Sequence, residues 1–213
     1  MNKAWSDDEL ASRVAADLPE NSVVNLGIGL PVLVANHVPE EKLIFFHSEN
    51  GIIGLGGTPR QGEGDPDIVN AAKKQATLIP GASIVHHADS FSLIRGGRLD
   101  YSILGALQVS STGDIANWKV PGQKGGGGVG GAMDLAVGAK RVLVMMRHQD
   151  KTGTSKLVKA CTFPLTAVNA VTTVYTELGV FECAGDAFIV RESAPGISRD
   201  ELQQRTDAVL KFV

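Results

Sequence analysis

Residues 43–57 have the sequence LIFFHSENGIIGLGG, in which an apolar run meets a glutamate and then a series of glycines. The run Leu43–Phe46 is typical of a buried strand. Glu49 follows it, and glutamate is seldom buried unless another group pairs with it or the protein uses it. Glycines on its C-terminal side allow backbone N–H groups to approach a ligand closely. In an arbitrary protein a solvated glutamate beside a glycine turn is the more common explanation, so the rest of the chain must decide.

Outward from this stretch, apolar segments alternate with helical ones. Strands are predicted at 22–26, 43–46, 82–85, 101–109, 141–146, 168–182 and 187–192. Helices are predicted at 7–18, 31–38, 65–74, 90–94 and 131–138, and again from Ser198. Strands that are apolar throughout are typical of a mostly parallel sheet covered on both faces. With 213 residues and no visible linker, we expect one α/β domain spanning residues 1–213.

Composition argues against several classes of protein. A net charge of −3 without a basic stripe argues against a nucleic-acid partner. No run approaches the about 18 apolar residues of a membrane span, and the acidic segment 1–10 does not resemble a signal peptide. Cys161 and Cys183 stand alone, without the Cys-x-x-Cys pairs of a metal site. We therefore expect a reduced, cytoplasmic protein with no membrane partner.

The 25 glycines cluster beside apolar runs. Glycine-bearing loops are expected at 25–29, 49–57, 104–105 and 125–131. In open α/β sheets, ligands bind beyond the carboxyl ends of the strands. We therefore expect Asn25, Glu49 and the amides of Gly130 and Gly131 to converge, with the two amides facing an anion or an oxyanion.

Other chemistries find little support in the sequence. The run 125–131 contains Gly-x-Gly-x-x-Gly, but it follows no strand and lacks the acidic partner of a dinucleotide site. Segment 86–89 has adjacent histidines that would point to opposite faces, so we expect no metal site. No Gly-x-Ser-x-Gly turn supports a serine hydrolase. Glu49 is left as the candidate nucleophile, and carboxylates of this kind can exchange one thioester for another without metal or ATP.

Five segments together resemble the B subunit of the family I 3-oxoacid CoA-transferases. They are NLGIGLP at 25–31, SENGIIGLG at 48–56, IRGG at 94–97, GDIANW at 113–118 and GGAMDL at 130–135. The likeness extends from about Asp7 to the C-terminal helix. It implies a three-layer αβα fold with a mostly parallel open sheet, as in the CoA-transferases.

The resemblance also implies a ping-pong transfer of CoA centred on Glu49. Its carboxylate would attack an acyl-CoA, by family analogy succinyl-CoA, and a glutamyl-CoA thioester on Glu49 would then pass CoA to a 3-oxo acid. Asn25 and the Gly131 amide would hold oxyanions, and Lys73 would contact CoA. The other substrate-binding or CoA-binding positions implied are Gly27, Gly29, Asn50, Gly51 and Gly130.

Coenzyme A enters this scheme as a co-substrate, with no permanently bound cofactor and no metal. The family has two halves, A and B, and this chain corresponds to B alone. The resemblance therefore implies a partner A subunit in a heterodimer or heterotetramer.

The sequence leaves the identity of the acceptor acid open. Segments 86–92 and 151–157 are similar to 3-oxoadipate enzymes, whereas segment 58–63 is more similar to acetoacetate enzymes. The sequence departs from the family at Gly57, at Ala72 and over 125–129, and no departure removes a reacting group. Two other functions also stay open: a non-catalytic acyl-CoA-binding or regulatory paralogue, and a sugar-phosphate isomerase-like enzyme with Glu49 as general base.

Overall fold

The structure, a computed structural model, describes residues 4–39, 41–123 and 127–213. Its strands are β1 (Val23–Leu26), β2 (Phe45–Ser48), β3 (Ile52–Leu55), β4 (Leu78–Ile84), β5 (Tyr101–Leu104), β6 (Gln108–Ser110), β7 (Ile115–Ala116), β8 (Arg141–Met145), β9 (Leu157–Val158), β10 (Val171–Thr176), β11 (Gly179–Cys183), β12 (Phe188–Ser193) and β13 (Leu210–Phe212). Its helices are α1 (Asp7–Asp17), α2 (His87–Arg95), α3 (Ala132–Gly138) and α4 (Arg199–Gln204), with a 3-10 helix at Leu30–Asn36.

The main sheet has ten strands in the order β13-β12-β11-β10-β8-β5-β1-β2-β3-β4. Its middle is parallel, because β2, β1, β5, β8 and β10 pair in the same direction. Antiparallel strands extend it on both sides, with β3 and β4 beyond β2, and β11 and β12 beyond β10. Strands β7, β6 and β9 form a separate small sheet. The predicted mostly parallel α/β sheet is confirmed.

Two hydrophobic cores lie on opposite faces of this sheet. Along β8, Val142 and Val144 belong to one core, whereas Leu143 and Met145 belong to the other. Successive side chains of a strand point to opposite faces, so this division shows that both faces are covered. Residues of α2, α3 and α4 contribute to the first core and residues of α1 to the second. The result is the predicted three-layer αβα arrangement.

Local signals fix several helix ends. Ser6 caps α1 in a capping box with Glu9, in which the Ser6 Oγ accepts the Glu9 amide at 3.2 Å and the Glu9 carboxylate accepts the Ser6 amide at 2.8 Å. Ser198 caps α4, where its Oγ accepts the Glu201 amide at 3.1 Å. These two helix starts are where the sequence predicts them.

The helix predicted at 65–74 is wrong. Asp65 Oδ1 accepts the Asp67 amide at 2.9 Å, and the segment continues as turns in which Lys73 has a φ of 60°. Asn70 Oδ1 likewise accepts the amides of Ala72 and Lys74, at 2.9 and 3.1 Å. Because aspartate and asparagine side chains bond to nearby backbone amides, they favour turns over a helix here.

Other boundaries also differ from the prediction. The helix predicted at 31–38 is a 3-10 helix over Leu30–Asn36. Strand β2 extends to Ser48, and Leu43 is outside it and 44% exposed. Segment 52–55, which lies within the predicted glycine loop 49–57, is strand β3, since its apolar residues pair antiparallel to β2. The run 101–109 divides at Gly105 between the two sheets, and β13 follows the last helix.

Candidate functional site

A cleft of about 380 Å³ lies at the carboxyl ends of β1, β2 and β5, where a ligand site is expected in an open α/β sheet. Its lining residues include Asn25, Gly27, Ile28, Glu49, Leu104, Gly105, Asn117, Trp118, Gly130 and Gly131. The structure therefore brings Asn25, Glu49, Gly130 and Gly131 together, as the loop pattern predicts.

Glu49 is placed in the cleft by the tight turn between β2 and β3. The Gly51 amide donates to the Ser48 carbonyl at 2.9 Å, which closes the turn around Glu49 and Asn50. Gly51 has a φ of 117°, and a side chain there would collide with the Val85 carbonyl oxygen. Only glycine fits this position without strain, so Gly51 fixes the turn.

The Glu49 carboxylate is partly buried, and no hydrogen bond to it is found among the described residues. Burial raises the pKa of Glu49, the charge of His87 opposes the rise, and Asp134 adds to it. An anion without hydrogen-bond donors is poorly stabilised in its resting state. This carboxylate is therefore suited to react as a nucleophile.

Gly131 lies directly against this carboxylate at the start of α3. A Cβ atom built at Gly131 would collide with Glu49 Oε2 and would lie 2.9 Å from Phe91 Cζ. No larger residue fits there unless Glu49 moves. Gly130 borders the same cleft with a φ of 55°. The oxyanion role of the two amides stays a prediction.

Asn25 belongs to a buried network of three polar side chains, called here the His47 network. Asn25 Nδ2 contacts His47 Nδ1 at 3.0 Å and donates to the His47 carbonyl at 3.1 Å. On the other side of the ring, His47 Nε2 contacts Ser90 Oγ at 2.8 Å. Burial lowers the pKa of His47 to about 4, so the imidazole is neutral at pH 7.

The geometry changes what Asn25 offers to a ligand. Both N–H groups of its amide are directed at His47, and Asn25 Oδ1 is buried with no partner in the described structure. The resemblance implies that Asn25 donates to an oxyanion. In this conformation, the group that it leaves free is a hydrogen-bond acceptor instead.

Some of the other predicted binding residues border the cleft and some do not. Gly27 lines the cleft, and its amide donates to the Ile103 carbonyl at 2.8 Å. Gly29 lies at the start of the 3-10 helix with a φ of 97°. Asn50 faces away and donates to the Val69 carbonyl at 2.8 Å. Asn50, Gly51 and Lys73 do not border the cleft, although Lys73 is two residues from Ala71, which does.

Several cleft residues were not singled out by sequence reasoning. Asn117 and Trp118 lie in a motif that resembles the family, but no role was assigned to them. Trp118 Nε1 donates to the Leu165 carbonyl at 3.2 Å, and Asn117 Nδ2 donates to the Gly105 carbonyl at 3.2 Å, so both are held in place. His47 and Ser90 were missed because their pairing joins elements 43 residues apart.

An ion pair connects the two helices beside the site. Arg95 Nε lies 2.7 Å from Asp134 Oδ1 and joins α2 to α3. The Arg95 guanidinium also lies over the Phe91 ring at 5.6 Å. These contacts hold Phe91 and the start of α3 together next to Glu49.

Other kinds of site are not found in residues 4–39, 41–123 and 127–213. No group of three or more His, Cys, Asp or Glu side chains there could hold a metal ion. No helix in the same residues is both long and apolar enough to cross a membrane. Residues 125 and 126 of the predicted glycine loop 125–131 lie outside the described residues.

Comparison with known proteins identifies the family. A model of the coenzyme A transferase family matches residues 8–205. The chain belongs to the coenzyme A transferase family. It is thus a CoA-transferase, and coenzyme A is its co-substrate.

Relatives of this CoA-transferase include two with closely matching lengths. It is 50% identical to the B subunit of 3-oxoadipate CoA-transferase from Pseudomonas putida over 204 residues, covering 96% of this chain and 95% of the relative. It is 46% identical to the B subunit of succinyl-CoA:3-ketoacid coenzyme A transferase from Helicobacter pylori, covering 94% and 96%. Both relatives are named as B subunits, which agrees with the family resemblance found in the motifs.

The fold also matches a solved structure. The acyl-CoA transferase YdiF of Escherichia coli O157:H7 aligns with a TM-score of 0.73 at 17% identity. The alignment covers 100% of this chain but only 44% of YdiF, so this CoA-transferase spans less than half of that protein. A second YdiF structure is described as a thioester complex with CoA. At this identity the likeness supports the fold alone.

Proposed function

We propose that this chain transfers CoA from an acyl-CoA donor to a 3-oxo acid by forming a covalent glutamyl-CoA thioester on Glu49. The observation that carries the proposal is the placement of Glu49. Its carboxylate borders the cleft against Gly131, is held on a tight turn, and has no hydrogen-bond partner in the described structure. A carboxylate placed in this way is free to attack a carbonyl carbon.

In the first half-reaction, a Glu49 oxygen attacks the thioester carbonyl of the donor and the carbon–sulfur bond breaks. The products are an acyl-glutamyl anhydride and a CoA thiolate. The thiolate then attacks the glutamyl carbonyl, the donor acid leaves as its carboxylate, and a glutamyl-CoA thioester remains on Glu49. Charge is conserved because one anion enters and one leaves at each step.

The second half-reaction reverses this order with the acceptor. The carboxylate of a 3-oxo acid attacks the glutamyl-CoA carbonyl and releases the thiolate, which leaves a mixed anhydride on Glu49. The thiolate attacks the acceptor carbonyl of that anhydride, giving the 3-oxoacyl-CoA and free Glu49. No water is used, so a cleft that limits water access protects both the anhydride and the thioester.

For the donor and acceptor we propose succinyl-CoA and a 3-oxo acid, with 3-oxoadipate and acetoacetate as the two candidates. The names of the relatives support both acids, since one relative is a 3-oxoadipate enzyme and another a succinyl-CoA:3-ketoacid enzyme. Rates with the two acids, measured on the same preparation, will distinguish them.

We also propose that residues 1–213 act as one B-subunit domain with a separate A subunit, in the cytoplasm. The B-subunit names of the relatives support the partner. Two free cysteines, whose pKa values burial raises to about 11 and about 12, support a reducing compartment.

The decisive experiment incubates the chain and its A subunit with succinyl-CoA and searches proteolytic peptides by mass for a CoA adduct. The expected result is a single adduct on the peptide that contains Glu49, which disappears on addition of acceptor acid. Glu49→Gln is the control and should carry no adduct. Binding of acyl-CoA without any adduct would contradict the proposal and favour a non-catalytic paralogue.

A further inference from the structure

Asn25 lies in the wall of the cleft, and its side-chain oxygen is buried without a partner in the described structure. Asn25 is 1% exposed, borders the same cleft as Glu49, and its Oδ1 has no hydrogen-bond partner in the described structure. A buried acceptor without a donor destabilises the folded protein. A bound ligand that supplies a donor would remove this cost.

The orientation of the Asn25 amide is set by His47. If the amide were turned over, Oδ1 would face the His47 carbonyl oxygen, which is 3.1 Å from Nδ2 in the observed orientation. Two carbonyl oxygens repel each other at that distance, so Nδ2 must face His47. Since Nδ2 donates to His47 Nδ1, the proton of the neutral imidazole is on Nε2 and is donated to Ser90 Oγ.

The alternative to a ligand is a partner within the protein. Asn25 is in register with Ser102 on β5, and Ser102 Oγ is the other buried side-chain atom without a partner in the described structure. The two are not within hydrogen-bonding distance of each other, and Ser102 does not border the cleft. Of these two unpartnered oxygens, Asn25 Oδ1 is the one whose residue borders the cleft.

We propose that Asn25 Oδ1 accepts the amide N–H of bound CoA that is two methylene groups from the sulfur, and that His47 is the positioning residue that keeps this oxygen turned toward the cleft. The inference rests on the proposed function, which places CoA in this cleft. The acids in their carboxylate form and the anhydrides carry only acceptors at the reacting end. The CoA arm is the reactant that offers a donor near its sulfur.

With this assignment, Asn25 would make the same contact to CoA at every step of the reaction. The same N–H is present in the donor thioester, in the free thiolate and in the glutamyl-CoA thioester. A contact to it holds the sulfur near Glu49 while the acyl group changes. The thiolate therefore stays in place between its departure and its return, which favours the intramolecular step.

The test compares two donors: succinyl-CoA and an analogue in which this amide N–H is replaced by an ester oxygen. The enzyme is the full complex of this chain with its A subunit. The wild-type complex should have a kcat/KM about tenfold lower with the analogue, which is the effect of one hydrogen bond of about 1.4 kcal/mol. Asn25→Leu should be slower with succinyl-CoA but should treat the two donors alike.

The role of His47 is tested by the same ratio. His47→Leu should bring the ratio close to one, because the Asn25 amide is then free to turn. His47→Gln should restore part of it, since its side-chain oxygen can accept from Asn25 Nδ2. His148→Leu, which removes a buried histidine elsewhere, should leave the ratio at about tenfold. Each ratio is measured on one preparation, so partial unfolding does not change it.

Two outcomes would overturn the inference. One is a wild-type ratio near one, which would mean that Asn25 Oδ1 is satisfied inside the protein, by Ser102 or through a water. The other is an Asn25→Leu ratio equal to that of the wild type. Absence of transfer from succinyl-CoA itself is a different result, because it would refute the proposed function and the inference with it.

Discussion

Two buried histidines of this protein, His47 and His148, have similarly lowered pKa values but differ in their hydrogen-bond partners. In the His47 network, Asn25 and Ser90 contact the ring. In the His148 network, Thr176 Oγ1 contacts Nδ1 at 3.0 Å and Thr206 Oγ1 contacts Nε2 at 2.9 Å. Burial lowers the pKa of each histidine to about 4, with the charge of Arg205 adding to the effect at His148.

The difference lies in the partners. Thr206 donates to the Leu202 carbonyl at 2.7 Å, and Thr176 accepts the Leu178 amide at 3.2 Å, so the His148 network is complete within the protein. The His47 network ends at Asn25 Oδ1, which has no partner in the described structure. A complete network stabilises the fold, whereas the incomplete one beside the cleft leaves an acceptor to which the proposed contact with CoA would supply the missing donor.

The largest expected effect is on the rate of CoA transfer, which should depend on the carboxylate of Glu49 but not on the carboxylate beside His148. Glu49→Gln should reduce CoA transfer by about a thousandfold or more, because the neutral amide cannot act as the nucleophile. Glu177→Gln makes the same chemical change beside His148, where Glu177 accepts the His148 amide at 2.9 Å. It should retain nearly full activity. Steady-state transfer rates of both variants check this, and equal losses would contradict it.

The next effect concerns the space beside the nucleophile. Gly131→Ala should lower kcat about a hundredfold, since the new methyl group displaces the Glu49 carboxylate from its reactive position. Gly128→Ala is the matched control, because Gly128 borders the same cleft and a Cβ there meets no atom of the described residues within 4 Å. If both variants had the same kcat, contact with Glu49 would not be the cause.

The pH dependence of stability should be common to both networks. A histidine whose pKa is near 4 when folded and 6.5 when unfolded stabilises the fold fully above pH 6.5, and this contribution is lost as the pH falls toward 4. Each histidine should lower the free energy of unfolding by about 2 kcal/mol between pH 7.5 and 5. Urea unfolding at the two pH values measures this loss. His47→Gln and His148→Gln should each reduce it by about that amount, and an unchanged loss would refute the assignment.

The smallest effect removes the second partner of each ring. Ser90→Ala and Thr206→Val should each lower the free energy of unfolding by about 1 kcal/mol, as expected for a lost buried hydrogen bond. Only Ser90→Ala should also slow transfer, by severalfold, since it loosens the ring that orients Asn25. Unfolding and rate measurements on both variants test this. Slower transfer in Thr206→Val would contradict the expectation that only the His47 network affects the reaction.

Much of the fold could be predicted because its signals are local. The middle strands are apolar runs, and Ser6 and Ser198 cap their helices as their spacing indicates. The helix predicted at 65–74 failed for a physical reason. The side chains of Asp65 and Asn70 hydrogen-bond to backbone amides within four residues, and these bonds compete with the helical ones.

The candidate site was predictable in part. Strand ends and glycine loops led to Glu49, Asn25 and Gly131, because such loops gather at one edge of a parallel sheet. The His47 network was not predictable in the same way. It depends on strand register and on a helix 43 residues further along the chain, and neither is visible in the pattern around His47. The free oxygen of Asn25 likewise depends on which way its amide is turned.

Because Gly131 contacts Glu49, the substitutions that evolution can accept at position 131 depend on the residue at position 49. As long as position 49 carries a carboxylate in this place, position 131 has no room for a side chain. A descendant that replaced Glu49 by a smaller residue would lose this contact, and the 2.9 Å approach to Phe91 Cζ would remain as the restriction on position 131. A substitution at position 131 should therefore be tolerated more easily after Glu49 has been lost than before.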